Sequence, residues 1–118
     1  MYSFANHGAF KVIDEPFYAH YLEQTGYDHP DGDKVIATYE TDWRTIVTQL
    51  IGQIPYNKSI YYQKHMTHHM LDHMDKEWMK QVTNCFLIRD PRRMILSFAK
   101  VIPDLKADQM GLTQQVDI

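Results

Sequence analysis

Asn84-Cys85-Phe86-Leu87-Ile88-Arg89-Asp90-Pro91-Arg92-Arg93-Met94-Ile95-Leu96-Ser97-Phe98 is the stretch on which the fold turns. Cys85 to Ile88 is a short continuous apolar run, the pattern of a strand buried on both faces. Asp90-Pro91 then opens a helix, because Asp is a preferred N-cap and a proline at the first helical position gives up an N–H that has no partner there. Met94, Ile95, Phe98, Val101 and Ile102 recur at helical spacing as one apolar stripe. The unit reads as strand, tight turn, helix, with Arg89 at the strand's carboxyl end and Arg92 and Arg93 in the first helical turn. Basic side chains around a helix N-terminus suit an anion such as phosphate. Asp-Pro is also an ordinary helix opening, and arginines beside it can be merely solvated.

Working outward, the N-terminal side supplies two similar units. Phe10 to Ile13 reads as a first strand, followed by Asp14-Glu15-Pro16 and a helix over Pro16 to Gln24 closed by Gly26. Tyr27 to Asp33 is rich in turn formers and reads as loop. Asp42 caps a helix from Trp43 to Gly52, where Trp43, Ile46, Val47, Leu50 and Ile51 share a face. Pro55 to Lys58 turns the chain, Ser59 to Gln63 reads as a second strand, and Lys64 and His65 stand at its end. Thr67 caps a short helix through His73, with a further helical piece over Asp75 to Val82. At the start, Met1 to His7 reads as the tail of an amphipathic helix with Gly8 at the C′ position. Beyond Pro103 the sequence turns polar and shows no closing element.

Strand, helix, strand, helix, strand, helix argues for an α/β protein with a parallel sheet. Ligands of such sheets bind outside the carboxyl ends of the strands. All three expected strands end in charge: Glu15, then Lys64 with His65, then Arg89. These charges are expected to converge on one rim.

Composition narrows the classes. The chain has 118 residues, a formal net charge of −3 and one cysteine. That length suits one small domain. The charge gives no general attraction to nucleic acid or an anionic membrane, and a lone Cys85 excludes an internal disulfide. No apolar run reaches transmembrane length and no signal peptide is visible, so the expected setting is cytoplasmic. Met66, Met70, Met74 and Met79 read as core filler. Tyr18, Tyr21, Tyr61 and Tyr62 flank the expected rim, where packing explains them as well as an acceptor pocket does.

Arg89-Asp90-Pro91 with Ser97, Asp14-Glu15-Pro16-Phe17-Tyr18-Ala19-His20-Tyr21-Leu22, and Tyr62-Gln63-Lys64-His65-Met66-Thr67-His68-His69 occur in one order along nearly the whole chain. Together they resemble the bacterial-type sulfotransferases. The resemblance implies a three-layer α/β/α, P-loop NTPase-like sheet, and 3′-phosphoadenosine 5′-phosphosulfate as donor to a hydroxyl or amine of a small-molecule or carbohydrate acceptor. It implies 3′-phosphate binding by Arg89 and Ser97, with Arg93 nearby, and no metal. Glu15 would be the general base, with His65 the alternative. Lys64 would stand near the transferring sulfuryl group, where positive charge helps. Position 66 is Met where the cytosolic enzymes often carry a Lys-x-His histidine, and His20 falls five residues after Glu15 rather than four.

No glycine- or serine-rich phosphate loop occurs. The expectation is therefore a single partial domain over residues 1–118, incomplete at both ends and inactive alone. Its sheet edge would be exposed and open to pairing with a second copy. Two readings from other classes stand beside this one. His65, His69 and His73, four apart, would hold zinc or nickel if they shared a helix face. The chain would otherwise be a non-catalytic α/β interaction domain.

Overall fold

The computed structural model describes residues 1–100 and 106–118. Helix α1 (Tyr2–Ala5) leads into strand β1 (Phe10–Asp14), and three helices follow: α2 (Tyr18–Thr25), α3 (Gly32–Thr38) and α4 (Trp43–Ile51). Strand β2 (Ile60–Lys64) comes next, then 3-10 turns at Thr67–His69 and Glu77–Gln81, helix α5 (Pro91–Phe98) and helix α6 (Leu112–Asp117). β1 and β2 pair in parallel, from Phe10 opposite Ile60 to Asp14 opposite Lys64. The crossover between them carries α2, α3 and α4.

Because side chains alternate along a strand, each face of this ribbon has its own residues. Ile13 and Tyr61 lie on the inner face and pack against the core of Phe17, Trp43, Ile46, Leu50, Met70, Met74 and Trp78. Gln63, on the same face, donates from Nε2 to the Leu50 carbonyl at 2.9 Å and so ties β2 to α4. On the outer face Phe4 of α1 stacks on Tyr62, with ring centroids 4.6 Å apart, and tilts against Phe10 at 5.1 Å.

Local chemistry sets the helix ends. The Asp42 carboxylate accepts the backbone N–H of Arg44 at 3.3 Å and of Thr45 at 3.2 Å, two of the donors that a helix start leaves orphaned. Within α4, Trp43, Ile46 and Leu50 are buried, the 3.6-residue stripe the sequence carries. α2 ends at Gly26 in the left-handed region, φ 62°, whose N–H donates to Leu22 O at 2.9 Å. This is the usual glycine stop. A buried histidine braces α2: His20 Nδ1 donates to the Thr41 carbonyl at 2.7 Å, which leaves Nε2 to accept from His73 Nε2, 3.1 Å away.

Several expectations are corrected. Cys85 to Ile88 forms no strand; the sheet of the described residues has two strands, and the expected third strand tip at Arg89 does not exist. Leu87 is 92% exposed, Ile88 is 86% exposed, and Cys85 is exposed too, where a strand buried on both faces was expected. The apolar run has the composition of a buried strand, but among the described residues no strand pairs with it. α5 forms with Asp90 as its cap, accepting the Arg92 N–H at 2.9 Å, yet buries none of its residues. Of its expected stripe, Val101 and Ile102 lie outside the described residues. The helix expected from Thr67 to His73 is only a 3-10 turn at Thr67–His69, and the piece over Asp75 to Val82 is a 3-10 turn at Glu77–Gln81. α1 ends at Asn6 in right-handed geometry, so Gly8 is not its left-handed C′ residue.

Helices α3 and α6 were not anticipated. α3 occupies the end of the expected loop and packs against α2. α6 closes the chain against the Thr67–His69 turn, where Thr67 Oγ1 donates to Gly111 O at 2.8 Å. Gly111 has φ +67°, and a Cβ there would run into Thr67 Oγ1 and come within 2.7 Å of the His68 amide nitrogen. Only glycine fits this contact.

Candidate functional site

The parallel register carries Asp14 and Lys64 to the same strand end. Lys64 Nζ pairs with the Asp14 carboxylate at 3.0 Å and, more closely, with Glu15 Oε1. The Glu15 N–H donates to the Lys64 carbonyl at 2.8 Å, extending the ladder by one bond past β1. Glu15 itself sits at φ 48°, a left-handed conformation uncommon for a residue with a side chain. That kink stops β1 and begins the turn into α2, since the Tyr18 N–H donates to Glu15 O at 3.0 Å. Burial alone would lower Lys64, but the hydrogen bonds and charges of Glu15 and Asp14 outweigh it and hold the ammonium above its ordinary pKa. Lys64 is a fixed cation between two acids.

Behind this pair lies a layer of aromatic and imidazole rings. His69, 2% exposed, stacks on Tyr18 at 5.4 Å and tilts against Tyr21 at 4.7 Å. Burial, helped by His68, Lys64, His29 and His65, pushes its pKa down to about 3. Its Nδ1 has no hydrogen-bond partner among the described residues. His68 is lowered by burial, with the Glu15 charge acting the other way and His29 adding to the fall. The Tyr18 hydroxyl hydrogen-bonds His29 Nδ1 at 3.0 Å and is raised by burial and by the charge of Glu15.

The sequence-derived site residues fall into two groups. Glu15 and Lys64 are in contact. His65 turns toward the core, against Phe17 at 5.5 Å and Trp78 at 5.8 Å, with Nε2 3.2 Å from Gln63 Oε1. Burial takes its pKa down to about 4, so it is a neutral ring packed among apolar ones. Arg89 lies in the irregular segment before α5, Arg93 in the first turn of α5 and Ser97 near its end; all three are exposed and form no ion pair with the Glu15–Lys64 group among the described residues. The expected rim of three tips is a pair of tips.

The histidine-metal alternative fails on geometry. His65 faces Phe17 and Trp78, His69 faces Tyr18 and Tyr21, and His73 pairs with His20. The described residues contain no group of three or more His, Cys, Asp or Glu that could hold a metal.

Sequence reading missed Asp14 as the second acid on Lys64, and it missed the cleft beside them. About 460 Å³ in volume, the cleft lies between the end of β1, the start of α2, and helices α3 and α4. Tyr18 and Tyr61 line it, while Tyr62 stands on the outer face of the ribbon. Val35 on α3 is part of its wall, and an unanticipated helix leaves an unanticipated wall.

A family model described as a sulfotransferase domain matches residues 1–118. The chain belongs to the sulfotransferase-domain family. Two proteins of Arabidopsis thaliana are similar to it along its whole length. One is branched-chain-amino-acid aminotransferase-like protein 2, 34% identical over 118 residues, and the other is branched-chain-amino-acid aminotransferase-like protein 1, 35% identical over 118 residues. Each match covers 100% of this chain and 21% of the relative, so the chain spans about a fifth of the length of these curated relatives. No solved structure matches. No described helix is long and apolar enough to cross a membrane.

Proposed function

We propose that these residues supply part of the reaction centre of a sulfotransferase that uses 3′-phosphoadenosine 5′-phosphosulfate. The observation that carries this reading is the Glu15–Lys64–Asp14 cluster at the adjoining carboxyl ends of two parallel strands. Such strand ends are where α/β sheets bind ligands. In sulfuryl transfer an acceptor oxygen or nitrogen bonds to sulfur while the bond from sulfur to the phosphate oxygen breaks. The acceptor loses its proton to a base, and charge grows on the departing phosphate. Glu15 is the base we favour, because it sits at the strand tip facing the cleft, whereas His65 is packed into the core. Lys64, held positive by its two acids, is the group that meets the growing negative charge.

Arg89, Arg93 and Ser97 are assigned to the 3′-phosphate on the basis of the family motif. Their exposure suits a ligand-facing surface, and the start of α5, capped by Asp90, adds backbone N–H groups. A P-loop-like sheet, with further strands beside β1 and β2, is the architecture this reading requires. The acceptor is a small molecule or carbohydrate.

Calorimetry with 3′-phosphoadenosine 5′-phosphate tests the assignment. The wild-type chain is expected to bind saturably, and Arg89→Ala to lose binding while keeping its melting temperature, since Arg89 is exposed. Equal binding by both proteins would overturn the role of Arg89, and no binding by either would overturn the nucleotide site.

A further inference from the structure

The cleft beside Glu15 carries information in the sign of its charge. At about 460 Å³ it falls in the range of small-molecule sites. Ile13, Val35, Ile46 and Leu50 give it apolar walls, while its charged lining residues, Asp14, Glu15 and Glu40, are all acidic. Among the described residues no lysine or arginine lines it. Lys64 reaches this region through its pairing with Asp14 and Glu15, and one cation against two carboxylates leaves the strand tip negative. Glu40 adds to that charge from a fixed position, because its Oε1 accepts the N–H groups of Thr41 and Asp42, each at 2.9 Å. The raised Tyr18 hydroxyl, lifted by burial and then by Glu15, feels the same field.

An anionic nucleotide is repelled by such a surface. The cleft is therefore not the seat of the donor. We propose that it seats the acceptor, and that the acceptor it selects joins an apolar body to a protonated amine. The acceptor role rests on the sulfotransferase reading above; the preference for a cation does not. The apolar body would lie along Ile13, Ile46 and Leu50, with the group that accepts sulfur toward Glu15 and the ammonium toward Glu40, where desolvation is partial and the attraction is correspondingly moderate.

Three probes of one shape and different charge test this: tyramine, 4-ethylphenol and 3-(4-hydroxyphenyl)propionate, each titrated into the full 118-residue chain and followed by NMR shifts of Ile13, Val35 and Ile46. Tyramine is expected to bind most tightly and the acid most weakly. Glu40→Gln keeps the Oε1 acceptor and should cut the preference for tyramine over 4-ethylphenol by about fivefold. Gln49→Lys, which places a cation on the cleft lining, should reverse the order of amine and acid. Equal binding of the three probes, binding led by the acid, shifts confined to other residues, or no binding at all would overturn the proposal. Titration with 3′-phosphoadenosine 5′-phosphate separates the two readings. If the nucleotide binds and tyramine does not, the cleft assignment falls while the sulfotransferase reading stands. If tyramine binds and the nucleotide does not, the cation preference stands and the acceptor role is overturned.

Discussion

Two regions of this chain use the same local vocabulary and reach opposite ends. In the first, an acid at a strand tip and a proline lead into α2, and Phe17 beside them is 1% exposed within a shell of Trp43, Ile46, Leu50, Met70 and Trp78. In the second, Arg89-Asp90-Pro91 leads into α5, whose cap is formed and whose apolar stripe is present, and nothing on that helix is buried. Capping and periodicity settle whether a helix forms, through hydrogen bonds within a few residues of one another. Where the helix goes depends on an apolar surface supplied by another element. The first region has that surface in the β1–β2 ribbon and α4; the second has no such partner among the described residues.

Breaking the packed region should cost most. Phe17→Ala removes a ring at the centre of the core and is expected to destabilise by about 3–5 kcal/mol, read as a shift in the urea midpoint at constant slope. A loss below about 1 kcal/mol would mean that this shell is not close-packed.

Gly111→Ala probes how α6 is held to the Thr67–His69 turn. Positive φ and the close approach of the His68 amide together predict a loss of about 1–3 kcal/mol. The His68 and His69 NMR signals should shift with it.

The histidine layer gives a dependence on pH. Unfolded, an imidazole takes up its proton near pH 6.5, whereas folded His69 does so only near 3 and His65 near 4. On acidification the unfolded chain binds protons first, so stability falls progressively as pH drops below about 6.5. His69→Phe keeps the stack on Tyr18 and Tyr21 and removes one of these protons. Its melting temperature should decline less between pH 6.5 and pH 4 than that of the wild type, and a parallel decline would show that His69 is not the group responsible.

The smallest effect belongs to the exposed region. Leu87→Ser, at a side chain 92% exposed, should change stability by no more than about 0.5 kcal/mol. A cost comparable to that of Phe17→Ala would erase the contrast between the two regions.

The elements legible in the sequence are those whose signals are local. β1, α2 with its Gly26 stop, α4 under its Asp42 cap, β2 and the start of α5 all follow from spacing and end chemistry. The convergence of Glu15 and Lys64 on one rim was legible too, because parallel strands bring their carboxyl ends together; that they form an ion pair was not. Cys85 to Ile88 misled because a continuous apolar run records a tendency to be buried and says nothing about an available partner. α3 escaped because its seven residues begin in Gly32-Asp33, read as loop, and carry a short apolar pair in place of a stripe. Without α3 the cleft had no second wall to be seen. The inward turn of His65 was hidden as well, since a position just past a strand does not fix which way a side chain leaves it.

The contact between Glu15 and Lys64 spans 49 positions of chain. Closing so long a loop costs entropy before any strand bond repays it. The acid and the ammonium stand far apart in an extended chain, so their ion pair marks a molecule in which the parallel ribbon has closed.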